Sequence, residues 1–84
     1  MPHLDVLMHL FERLGVTVRR ETLGGEGGGL CMLRGQRIMF LDMSADEASQ
    51  IECCLRALGS IPELESMYIP PALREAIDHA KRAT

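Results

Sequence analysis

The chain has 84 residues, 46% of them hydrophobic but only 4% aromatic, with nine Lys and Arg set against twelve Asp and Glu for a formal net charge of −3. That length makes one small domain, 1–84, able to bury about 60 to 65% of the surface its unfolded chain exposes. The acidic balance argues against non-specific binding to nucleic acid.

The opening stretch MPHLDVLMHLFERLG has no Lys or Arg ahead of its apolar residues and has Asp5 among them, so it fails as a secretory signal. No run approaches membrane-spanning length, and a cytoplasmic protein without a membrane partner is the expectation. Leu4, Leu7, Met8, Phe11 and Leu14 then fall at helical spacing with Gly15 as a stop, which predicts an amphipathic first helix. VTVRRETL, Val16 to Leu23, alternates β-branched and polar residues as a strand does. LCML and RIMFLD flank the break Arg34-Gly35-Gln36, read as a tight hairpin in which glycine supplies a positive φ. Ser44 and Glu47 stand at capping-box spacing before a second helix along Ala48, Ile51, Leu55 and Leu58, ended by Gly59. SIPELESMYIPP is broken by Pro62, Pro70 and Pro71, leaving room for a short turn of helix near Glu63 and a last helix from about Pro71 to Arg82. The expected architecture is an α+β domain of order α-β-β-β-α-α, its three strands an antiparallel meander with helices on one face.

ETLGGEGGGLCMLRG concentrates five of the eight glycines between Gly24 and Gly29. A phosphate loop would need a helix N-terminus after it, whereas strand-like residues follow; neither the Walker Lys-Ser/Thr pair nor a third dinucleotide-motif glycine at Leu30 is present. The run therefore reads as the connection between the first two strands, continuing into a thin strand edge. A second reading treats the backbone of Gly25, Gly27 and Gly28 as a platform for a ligand or another chain, with Glu26 the only side chain on it. Arg34 and Arg37 would assist an anion there. With Arg19 and Arg20 they could also make a basic patch for an anion or RNA, the plainer reading being a solvated face with Glu21 as a partner.

Cys31, Cys53 and Cys54 are an odd set without metal-ligand spacing, and Cys53 and Cys54 diverge by roughly 100° on a helix. All three are expected as reduced, buried small hydrophobes, with no metal and no cofactor. The order of helix, strands and helix bears a likeness in shape to phage-repressor-cleaving metallopeptidases, but the HExxH that would bind zinc is missing.

GGEGGGLCMLRGQRIMFLD and YIPPALREAI, with LGVTVRRE ahead of them, resemble a set of small bacterial conserved hypothetical proteins. The resemblance implies a stand-alone bacterial domain with the glycine run in the family pattern, and carries over no catalytic or binding residue.

Both alternating faces of IMFL and LCML are apolar, so both faces of the sheet call for cover. Helices on one face leave either Leu30, Met32, Met39 and Leu41 or the alternate set Cys31, Leu33, Ile38 and Phe40 exposed, and a homodimer hides them most simply. The function this implies is a non-enzymatic, self-associating interaction module. The alternative is a small-ligand or anion binder using Gly25, Glu26, Gly27 and Gly28 with Arg34 and Arg37.

Overall fold

A computed structural model describes residues 2–25 and 27–82. The elements run α1 (Leu4–Arg13), β1 (Thr17–Glu21), β2 (Gly28–Leu33), β3 (Gln36–Asp42), α2 (Glu47–Gly59), a 3₁₀ turn (Pro62–Ser66) and α3 (Pro71–Arg82), which is the α+β order expected.

The sheet is mixed, however, and not an antiparallel meander. Its strand order is β1-β3-β2. β1 lies parallel to β3, with Thr17 opposite Ile38 and Glu21 opposite Asp42. β2 is antiparallel to β3, with Gly28 opposite Leu41 and Leu33 opposite Gln36. Connection length decides this arrangement. Only Arg34 and Gly35 join β2 to β3, both at positive φ (52° and 77°), so these two strands must be neighbours in a tight hairpin. The stretch 22–27 is longer and can cross the end of an intervening strand, two strand spacings or roughly 10 Å. At the opposite end, Gln36 Nε2 donates to the Gly15 carbonyl at 3.0 Å and ties the hairpin to the start of β1.

α1 buries Leu7, Leu10 and Phe11 and closes before Gly15, whose φ of 75° suits a residue without Cβ. α2 begins later than the Ser44–Glu47 spacing suggests. Its N-cap is Asp46, which accepts from the Ser49 N–H at 2.7 Å, because Ser44 is engaged elsewhere. Pro71 opens α3, where the missing N–H costs nothing, and the Pro70 carbonyl accepts from Leu73 and Arg74.

The helices all lie on one face. Met39 and Leu41 of the central strand are fully buried in one cluster with Leu7, Phe11, Cys54, Leu58 and Ile77, and Val18 and Leu30 pack against it. Fully burying a Leu, Phe or Met side chain contributes about 1.5–3 kcal/mol, so this single layer carries most of the stability. Cys53 and Cys54 are both buried, although adjacent on the helix, because α2 is sandwiched between the sheet and α3.

Candidate functional site

Strand alternation sends Thr17, Arg19, Gly29, Cys31, Leu33, Ile38 and Phe40 to the face away from the helices. None of these residues belongs to the core cluster. Leu33 is 51% exposed, Leu23 is 46% exposed and Cys31 is exposed, while Ile38 is shielded at the centre between Thr17 and Cys31. The expectation of a buried Cys31 thus fails: its strand supplies the apolar pattern, but no layer covers that side. A shallow hollow of about 370 Å³ opens there, lined by Leu23, Gly28, Gly29, Cys31 and Phe40. The apolar ground is asymmetric. Toward β1 it ends in Arg19, whose guanidinium lies 5.5 Å from the Phe40 ring centroid and pairs with Glu21 at 3.0 Å. Toward β2 it runs on to the sheet edge without a charge.

The glycine run bends around an anion, and that anion is the protein's own. Asp42, at the C-terminal end of β3, is fully buried. Its Oδ1 accepts from the Leu23 N–H (2.9 Å), the Ser44 N–H (2.9 Å) and the Ser44 hydroxyl (2.5 Å). Its Oδ2 accepts from the N–H groups of Gly25 (2.6 Å) and Gly27 (3.3 Å). The Gly24 N–H donates to Ser44 Oγ at 3.1 Å, and buried Gln50 donates to the Asp42 carbonyl at 2.8 Å. A carboxylate so surrounded by donors is stabilised in its charged form. Its pKa lies well below the ordinary carboxylate range, the Ser44 hydroxyl being the largest cause, opposed by desolvation and helped by the N–H groups of Leu23, Ser44 and Gly25.

The glycines are demanded by this path. Gly24, Gly25, Gly27 and Gly28 all sit at positive φ. Gly28 is the tightest, since a Cβ there would lie 1.8 Å from the Phe40 carbonyl oxygen. Gly27 passes against α2, where a Cβ would come within 3.3 Å of the Ser49 carbonyl.

The residues singled out from sequence do not converge. Gly25 and Gly27 turn their N–H groups onto Asp42, Gly28 starts β2, and Glu26 lies outside the described residues. Arg34 stands in the hairpin at the other end of β2 from the glycine loop. Arg37 pairs with Glu63 at 2.8 Å, a contact that raises the arginine's pKa and lowers the glutamate's. Sequence reasoning missed Asp42, Ser44 and Gln50. The available signal was the acid ending the apolar run IMFLD with Ser two residues on, an acceptor for glycine N–H groups that lacked one.

Among the described residues no three His, Cys, Asp or Glu side chains gather as a metal site, and no helix is long and apolar enough to cross a membrane. No family model, no curated protein and no solved structure matches the chain.

Proposed function

We propose that this protein is a non-enzymatic interaction module that associates with itself through the uncharged β2 side of its sheet, where the helices leave apolar ground open. The observation that carries the reading is the uncovered apolar ground of Leu23, Cys31, Leu33 and Phe40, flanked by charge on one side only. Three helices suffice for one face of the sheet, and contiguous apolar surface left in water is a site of association. A second copy brings the same apolar ground to the contact at no cost in new sequence.

The anion-binding alternative loses its donors, because the N–H groups of Leu23, Gly25 and Gly27 are directed at Asp42. The deciding experiment is sedimentation equilibrium, with native mass spectrometry, across the micromolar range. A dimer mass is expected, and a strict monomer overturns the proposal.

A further inference from the structure

We infer that two copies join edge to edge through β2, antiparallel, with the two-fold axis at Leu30, so that their sheets become one. This rests on the self-association reading above, and assigns the contact to the uncharged β2 edge bordering the open face and gives it a register.

β2 is an edge strand, and the identity of its outward-facing groups follows from one bond. The Gly27 carbonyl accepts from the Asp42 N–H at 3.2 Å, so Gly27 faces β3. Antiparallel alternation then turns Gly29, Cys31 and Leu33 toward β3 as well and leaves the N–H and C=O groups of Gly28, Leu30 and Met32 pointing away from the sheet. The flanking pair Leu33–Gln36 of the two-residue hairpin gives the same phase.

The two sheet edges differ in how they are protected. β1, TVRRE, carries Arg19, Arg20 and Glu21, the charges that keep an edge from pairing. β2, GGLCML, has no charge and no proline, and Cys31, Met32 and Leu33 are exposed. It also borders the apolar ground on the outer face. Pairing β2 of one copy with β1 of the next would set apolar residues against charged ones and add copies without end. Pairing β2 with β2 is isologous and closes at two.

Register follows from side-chain size. An axis at Leu30 engages all three outward-facing residues, Leu30 with its own mate and Gly28 with Met32 of the second copy. It sets Gly29 against Cys31 of the second copy on the outer face. Met32 and Cys31 thereby each meet a glycine, and the two Leu30 residues meet each other: Met32 is 62% exposed, and a Cβ at Gly29 meets nothing within 4 Å. Axes at Gly29 or Cys31 obey the same alternation but engage fewer outward groups.

The test is disulfide mapping with Gly29→Cys, a substitution for which the strand has room. Cys53 and Cys54 are buried and do not compete. In the assigned register position 29 lies directly opposite Cys31 of the second copy, about 4.5–5.5 Å between Cβ atoms. The two native Cys31 residues are diagonal neighbours about 7–8 Å apart, beyond disulfide reach. Mild oxidation of Gly29→Cys should give a covalent dimer linked 29 to 31, whereas the native chain should give little. Equal cross-linking of the native chain through Cys31 overturns the register. A non-covalent dimer that does not cross-link in Gly29→Cys overturns β2 pairing while leaving self-association standing, and a monomeric native chain overturns both. Met32→Pro is the second variant: it deletes an outward N–H and spares the β2–β3 ladder. With circular dichroism unchanged, its dimer dissociation constant should rise about tenfold or more, and an unchanged constant overturns edge pairing.

Discussion

The Gly25 backbone nitrogen donates to Asp42 Oδ2 at 2.6 Å across a sequence separation of 17 residues. That bond, with those from Leu23, Gly27 and Ser44, holds the crossing segment over the end of the central strand. Asp42→Asn keeps the size of the side chain but replaces an acceptor oxygen with an NH₂ facing other donors. We expect a fall in urea midpoint larger than that from any single helix-cap deletion, with far-UV signal retained before the transition.

The same carboxylate makes stability depend on pH. Its folded pKa is depressed, so the unfolded chain takes up the proton first, near an ordinary value of about 3.9. The stabilisation is complete above that pH and is lost as pH falls from there toward Asp42's own, lower value. Urea midpoints should hold steady near neutrality and drop below about pH 4. Asp42→Asn should flatten that drop, leaving the smaller contributions of Asp46 and Glu63, whose pKa values are also lowered.

Neighbouring glycines should behave oppositely. Gly28→Ala drives a methyl into the Phe40 carbonyl at a φ of 101°, and only backbone movement relieves it. It should destabilise by at least about 3 kcal/mol. Gly29→Ala meets open space and should range from neutral to about 1 kcal/mol stabilising. Equal midpoints for the two variants would refute the described path of the loop.

Asp46→Ala should cost about 1 kcal/mol, the usual loss of a side-chain N-cap. Ser44→Ala removes a hydrogen bond to Asp42 and leaves the α2 cap intact, so its effect should shrink in an Asp42→Asn background. A double-mutant cycle measures both.

Thiol reactivity reports which cysteines the fold covers. In dilute protein Cys31 should alkylate rapidly, while Cys53 and Cys54 should react only as the chain unfolds. Burial pushes the Cys54 thiol up to about 12 and raises that of Cys53, so neither provides thiolate at neutral pH. Slowing of the Cys31 reaction with rising protein concentration would place it in the contact between copies.

What could be read without coordinates was local. The apolar spacing of Leu7 and Phe11, the stop at Gly15, the Arg34-Gly35 turn, the short turn near Glu63 and the last helix from Pro71 all express backbone preferences acting within a few residues, and they appear where expected. The strand order did not follow from such preferences. Nothing near Glu21 says that its neighbour is Asp42 rather than a residue of β2, because that pairing depends on how far the glycine segment reaches and on a carboxylate beyond the next hairpin. The start of α2 at Asp46 was hidden for the same reason: Ser44 carries a capping residue's chemistry but is drawn to Asp42. The exposure of Cys31 was equally beyond reach, since strand periodicity separates two faces and only the packing of α1 and α2 chooses which one is covered. Local chemistry determined the elements; long-range hydrogen bonds and the single helical layer decided their order and which face of the sheet is left uncovered.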